Sequence, residues 1–325
     1  MMDGRGKPGH DAPPGSPMPH RFFLSSGDLI ADRRYEFARD LQLKGNLAAA
    51  AEVMEQAIEV APNFASAWFE LGQIRITLGE TDKAIAAFQN ARAADPDDRH
   101  GAGVRLMQLG AAPLSDMPKA YVQSLFDQYA PRFEAELIER LNYRAPNILF
   151  KAVLAVRAAE RKPAYFKRAI DLGCGTGLGA AAFAKNVDSF IGIDLSAGMI
   201  AEARATGLYA ALEVDDMTAG LQRQPDASAD LVLAADAMVY VGDLAPVLAE
   251  SRRVLMPGGL LTFTVETHEG DGVIMGKGLR YAHGAEYVRG AITSTGLQLR
   301  HLEPASPRTE EQQPVRGLAV VAART

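Results

Sequence analysis

The residues of this chain best placed to do chemistry are acids that end apolar runs and glycines that follow the first of them. In Ala169-Ile170-Asp171-Leu172-Gly173-Cys174-Gly175-Thr176-Gly177-Leu178-Gly179, an apolar run meets an acid, three alternate glycines, and then the small residues Ala180, Ala181 and Ala182. The glycines let the backbone turn tightly without a Cβ penalty. A ligand can then lie against the main chain at the positive end of the following helix. Strand, glycine turn and helix in this order form the first half of a nucleotide-binding α/β unit. A second apolar run, Ser189 to Asp194, also ends in an acid, and a third, Ala210 to Val214, ends in Asp215-Asp216-Met217. Beyond a fourth run stand Asp236 and Tyr240. Beyond a fifth stand Glu266, His268, Arg280, Tyr281, His283 and Tyr287. His283 is the candidate general base of this group, because histidine titrates near neutrality.

Gly175-x-Gly177-x-x-Ala180 also fits the dinucleotide fingerprint of a dehydrogenase. Asp171, two residues before the first glycine, argues for a different ligand, since a carboxylate is unwelcome beside a pyrophosphate and useful beside an ammonium group. D-L-G-C-G-T-G resembles motif I of the class I S-adenosylmethionine (SAM) dependent methyltransferases. The resemblance implies SAM as cofactor, held by Asp171, Gly173, Gly175, Thr176 and Gly177. It implies that Asp194 accepts both ribose hydroxyls, a task that suits a carboxylate, and that Leu195 and Met199 lie against the adenine. One acid after the third strand would receive the adenine amino group. Two adjacent acids leave that assignment between Asp215 and Asp216, with Asp216 favoured and Met217 beside it. F-D-Q-Y-A-P-R-F, from Phe126 to Phe133, resembles the helices that lie over the SAM site of small-molecule methyltransferases, which adds Tyr129. Ala235, at the end of the fourth strand, completes the cofactor set.

A sulfonium donor is already activated, so holding donor and acceptor in line supplies much of the rate. A base matters only where the acceptor must lose a proton. The catalytic candidates are therefore the polar groups beyond strands four and five: Asp236, Tyr240 and His283. Strand four ends A-A-D-A-M-V-Y rather than in the N-P-P-Y of planar-amine methylases. Paired acids with an Asn, as metal-dependent catechol methylases use for Mg²⁺, are not evident, so no metal is expected. The acceptor expected is a small molecule, or less favourably a protein.

Other elements must position these groups. The run from about Tyr121 to Arg324 alternates strand and helix patterns and implies the Rossmann-like, seven-stranded α/β sheet of this family. Upstream, a 34-residue repeat relates Gly45 to Gly79, Ala50 to Ala84, Met54 to Phe88, Ala57 to Ala91, Pro62 to Pro96 and Phe37 to Leu71. The second copy, W-F-E-L-G…G…A…F…A…P, resembles the tetratricopeptide repeat (TPR). Ala102 to Leu109 reads as a capping helix. The expected organisation is a disordered Pro/Gly-rich tail over 1–27, an all-α TPR domain over 28–112, and a methyltransferase domain over 113–325. The repeats could dock a protein or peptide partner.

Of the 325 residues, 48% are hydrophobic and 23% charged, which fits an ordinary globular chain. A net charge of −6 argues against a broad nucleic-acid surface. One cysteine, Cys174, excludes an internal disulfide and fits a reducing compartment. With no secretory signal and no apolar run of membrane-spanning length, the expected location is cytoplasmic and no membrane contact is expected.

Overall fold

The computed structural model describes residues 22–130, 133, 142–310 and 312–325. The chain opens with helices α1 (Leu29–Leu43), α2 (Leu47–Val60), α3 (Ala65–Thr77), α4 (Thr81–Ala94) and α5 (Ala102–Gln108). Asp28 caps α1 by accepting the N–H groups of Ile30 and Ala31. The repeat register holds in the packing. Ala50 and Ala84, Met54 and Phe88, and Ala57 and Ala91 are all buried. Gly72 lets α3 lie against α4, since a Cβ there would come within 2.5 Å of the Phe88 ring. Phe37 and Leu71 differ, at 55% and 4% exposed. Among the described residues no earlier repeat covers Phe37, as expected at the end of a stacked array.

Two expectations about organisation need correction. The tail expected over 1–27 lies outside the described residues up to position 21. Residues 22–27, however, pack on the repeats: Phe23 touches Tyr35 and Phe64 at centroid distances of 5.1 and 5.9 Å. The boundary at 112/113 is crossed by a shared apolar cluster. Val104 and Met107 of α5 pack with Met117, with Tyr121 and Val122 of α6 (Lys119–Tyr129), and with Leu279 and Tyr281 far downstream. The Gln108 amide donates to the carbonyls of Gly276 and Lys277, and the Tyr281 hydroxyl to that of Ser115. Pro and Ser in the connecting stretch suggested a linker, but the neighbouring apolar residues bury themselves on a distant hairpin.

From α7 (Ala145–Ala159) the chain alternates strands and helices: β1 (Ala169–Leu172), α8 (Leu178–Phe183), β2 (Phe190–Asp194), α9 (Ala197–Ala205), β3 (Tyr209–Val214), α10 (Met217–Gln222), β4 (Ala229–Ala234), α11 (Ala245–Val254) and β5 (Leu255–Glu266). A hairpin β6 (Val273–Met275) and β7 (Tyr281–His283) follows, then α12 (Ala285–Ser294), β8 (Gln298–Ala305), a short ribbon β9 (Thr309–Glu310) and β10 (Gln313–Pro314), and β11 (Gly317–Ala323). The seven expected strands form one sheet in the order β3-β2-β1-β4-β5-β11-β8. Strands β1 to β5 are parallel, and β11 runs antiparallel to β5 and β8. The order reverses at β1, whose neighbours are β2 and β4, and ligands of open α/β sheets bind beyond the carboxyl ends of strands at such a point.

Period-two alternation sorts the β1 side chains. Ile170 and Leu172 join one layer with Val232, Leu261 and Phe263. Ala169 joins the other, with Leu231, Leu233 and the α7 residues Leu149 and Val153. Asp171 shares the face of Ala169. No helix among the described residues is long and apolar enough to cross a membrane.

Candidate functional site

The glycine loop leaves β1 with Gly173, Gly175 and Gly177 at φ of +61°, +55° and +102°. These values lie in the left-handed region that glycine enters freely. A Cβ on Gly173 would collide with Ala237 at 2.5 Å, whereas on Gly175 it would meet only the Phe133 ring, at 3.6 Å. Gly175 therefore lines the space between loop and cover. Thr176 is buried and its hydroxyl has no partner among the described residues. Cys174, buried at the foot of the loop, has its thiol pushed up by burial, the reverse of what a nucleophile needs.

Asp194 ends β2 directly opposite the loop. One of its oxygens accepts the Gly175 N–H at 2.8 Å and the other the Ser196 N–H at 2.9 Å. Burial raises its pKa, against the pull of those two donors. Each oxygen keeps a lone pair, the arrangement needed to accept two further hydroxyl protons. Met199 is buried in the first turn of α9, and Leu195 packs toward Tyr121, Phe126 and Tyr240. Helix α6 lies over this side. Asp127 accepts from the Ser196 hydroxyl and from the Gly198 N–H, and the Phe126 ring meets Phe133 and Tyr240 edge-on. Tyr129 belongs to the last turn of the same helix.

Three acids are spent differently from the expectation. Asp171 is 1% exposed, on the face covered by α7 and α8. It accepts from the Tyr209 hydroxyl at 2.7 Å. Burial raises its pKa to about 7, partly offset by Tyr209 and the Ala180 N–H. Its carboxylate thus fastens the loop and the start of α8 from below, rather than standing open to an ammonium group. Asp216 caps α10, accepting the N–H groups of Thr218 and Ala219, and its other oxygen pairs with Lys119 of α6. Asp215 pairs with Arg223. Met217 approaches the loop, its Cε 3.4 Å from where a Gly173 Cβ would stand.

Beyond β4 and β5 the polar groups form a closed ionic cluster. Asp236 is a non-glycine residue at φ +58°, a strained conformation of the kind found at functional sites. Its N–H donates to the Thr264 hydroxyl at 2.8 Å. Arg308, 3% exposed, donates to both Asp236 oxygens, to Glu266 and to Glu310. Arg280 also pairs with Glu266 and Glu310. Burial pushes Asp236 up despite Arg308, while the two guanidiniums hold Glu266 below its ordinary value against burial. The Tyr143 hydroxyl donates to the Ala235 carbonyl at 3.1 Å. Tyr240 lies between this cluster and α6, against Phe126.

His283 does not fit the role of a base titrating near neutrality. It is fully buried on β7, its Nε2 lies 3.0 Å from the Val241 carbonyl, and Tyr287 stacks on it. Burial lowers its pKa to about 4. Arg308, Tyr143 and Tyr209 carried no local sequence signal, and Asp127 lay unassigned within the F-D-Q-Y-A-P-R-F stretch. Arg308 lies in a polar segment whose partners are 42 and 72 residues away.

Comparison with known proteins places these features. Residues 170–263 match the model of a methyltransferase domain family, and residues 35–99 that of a tetratricopeptide repeat family. Over 144 residues the chain is 31% identical to methyltransferase-like protein 27 of Homo sapiens, covering 44% of this chain and 57% of that protein. A 70-residue stretch is 46% identical to dimethylglycine N-methyltransferase of Parasynechococcus marenigrum, covering 22% and 25%. A 101-residue stretch is 32% identical to ubiquinone biosynthesis O-methyltransferase of Hahella chejuensis, covering 30% and 42%. Each match spans less than two thirds of the relative. The glycine loop, Asp194 and β4 fall inside the matched domain, whereas Arg280 and Arg308 lie beyond it. The chain thus joins residues that match a tetratricopeptide repeat family to residues that match a methyltransferase domain family.

Proposed function

We propose that this protein transfers a methyl group from SAM to a small-molecule acceptor, with the repeats serving as a docking module for a protein or peptide. The observation that carries the reading is the crevice at the β1/β4 reversal. A glycine loop with a buried Thr176 hydroxyl, unpartnered among the described residues, faces a carboxylate whose oxygens keep lone pairs. These residues fit SAM: Gly175 leaves room beside the main chain, and Asp194 suits a pair of ribose hydroxyls. When bound, SAM supplies the activated methyl group. The chain's own work is then to orient and enclose. Leu195 and Met199 flank Asp194, α6 with Tyr129 covers the crevice, and Asp127 ties that cover to α9. With Asp216 and Asp215 committed to a cap and an ion pair, we assign the adenine edge to the main chain around Asp216 and Met217. With His283 buried and neutral, Tyr240 is the proton-bearing group we assign to the acceptor, and Asp236 a positioning role through Arg308.

The relatives methylate both nitrogen and oxygen by their names, so the acceptor atom is left unassigned. A second reading is a repeat-based interaction protein that binds SAM without turnover, favoured by the saturation of Asp236 with Arg308. Supplying the full chain with methyl-labelled SAM and a fractionated lysate tests both. Label in a small molecule is expected. SAM binding by calorimetry with no labelled product in any fraction would overturn turnover, and label only in protein would overturn the acceptor class.

A further inference from the structure

Residues 22 to 26 lie extended across the repeat array, and they touch the same position of each unit. Asp32, Ser66 and His100 stand 34 residues apart, one per unit. Phe22 meets His100 edge-on at 5.0 Å and lies under the Arg99 guanidinium. Leu24 bonds Ser66 twice, its N–H donating to Oγ at 2.8 Å and its carbonyl accepting from Oγ at 3.1 Å. The Ser25 and Ser26 hydroxyls donate to Asp32. Between these points Phe23 packs on Tyr35 and Phe64. The segment thus runs antiparallel to the order of the units, third to first.

The hydrogen bonds are built for a main chain. The single Ser66 proton goes to the Leu24 carbonyl, so Ser66 must accept from His100 Nε2, 2.9 Å away. That puts a proton on His100 Nε2, and burial, which lowers its pKa to about 4, keeps the ring neutral. Ser66 and His100 are 0% and 3% exposed. Ser66 is thus a buried hydroxyl whose two bonds to Leu24 require an extended backbone in place. Leu24 is read through its backbone, so another extended chain with rings at the two preceding positions meets the same contacts.

We propose that this face of the repeats is a binding site for an extended peptide with two aromatic residues, one residue held by its backbone and then hydroxyl residues, and that Phe22 to Ser26 is its resident occupant, which a partner segment must displace. The proposal rests on the reading of the repeats as a docking module. A tethered competitor acts at roughly millimolar effective concentration, so a peptide with micromolar affinity would bind the intact chain about 10²–10³-fold more weakly than a chain whose own segment is disabled.

The test uses a fluorescent peptide of residues 22–28, F-F-L-S-S-G-D, with the full-length protein and its full-length variant Phe22→Ser/Phe23→Ser/Leu24→Ser. Anisotropy is expected to show binding by the variant about 100-fold tighter than by the wild type, lost again when Ser66→Ala is added. Phe23→Ser alone, at a ring already 41% exposed, guards against misfolding of the triple variant and should raise affinity several-fold. A variant that melts cooperatively yet does not bind the peptide would overturn the proposal, as would equal affinity in wild type and variant. A wild-type dimer dissolved by the peptide would also overturn it, by showing that the occupant comes from a second copy. The readout needs neither SAM nor turnover, so its failure is separate from failure of the methyltransferase reading.

Discussion

The two sides of the crevice are built by opposite means. On the cofactor side the chain holds itself through its main chain. Gly175 and Ser196 give their N–H groups to Asp194, and Thr218 and Ala219 give theirs to Asp216, across separations of 2 to 19 residues. On the acceptor side the links are side chain to side chain and distant: Arg308 to Asp236 across 72 residues, Arg308 to Glu266 across 42, and Arg280 to Glu310 across 30. The segments that supply these arginines lie beyond the residues matched to the methyltransferase domain family, and one of them packs on the repeats. A backbone cradle suits a ligand that never changes. A side-chain cluster drawn from distant segments suits a surface tuned to one ligand.

The sharpest way to break this contrast is Gly175→Val. At φ +55° a β-branched residue is strained, and its Cβ would project toward Phe133 into the space between loop and cover. The expected outcome is essentially complete loss of SAM binding with a stability loss of only about 1–3 kcal/mol. Calorimetry and a melting curve on the same preparation check it. A folded variant that binds SAM like the wild type would remove the loop from the cradle.

Arg308→Met attacks the other side. Removing one partner from a buried ionic cluster leaves Asp236 without its cation, while Glu266 keeps Arg280, at a cost of about 3–5 kcal/mol. SAM affinity of the folded fraction should stay within a few-fold of wild type, because no cradle contact passes through Arg308. A large loss of SAM affinity would mean that the two sides are one unit. Asp194→Ala should do the reverse, weakening SAM binding by about 1.5–3 kcal/mol, or roughly ten- to hundredfold. Unchanged affinity in a folded Asp194→Ala protein would exclude Asp194 from the site.

The same contrast explains what could be read from the sequence. The seven strands, the loop and the acids at strand ends were legible because each is local: an apolar run, a turn residue, a period of 34. Which way those acids face was not. Asp171 is turned under α8 by strand alternation, and Tyr209, which holds it, starts a strand 38 residues on. Asp216 looked free to receive a ligand, but it begins a helix, and a residue before a helix is drawn to its N–H groups. His283 looked like a base because a histidine in a polar-aromatic run is exposed more often than not, and here β7 is covered on both sides. The order in residues 22–27 escaped because its partners, Ser66 and His100, are invisible to composition.

Asp171 supplies the smallest effect and the one most specific to geometry. Its folded-state pKa of about 7 stands above the ordinary value of 3.8. The folded protein therefore keeps a proton that the unfolded chain has already lost, and stability falls as pH rises from about 4 through about 7. The Asp171→Asn variant has no such proton to lose, so the stability of wild type relative to that variant should decline over this window and level off above it. Buried sites respond with a higher effective dielectric than a dry interior, so the decline should be about 1–2 kcal/mol. If Asp171 holds the loop from below, saturating SAM shifts both curves equally and leaves the difference unchanged. If the carboxylate instead meets the ammonium group of SAM, the bound cation would stabilise its ionised form, and the pH-dependent difference would shrink or vanish with SAM present. Melting curves of both proteins at pH 4 to 8, with and without SAM, separate a loop clamp from a ligand contact.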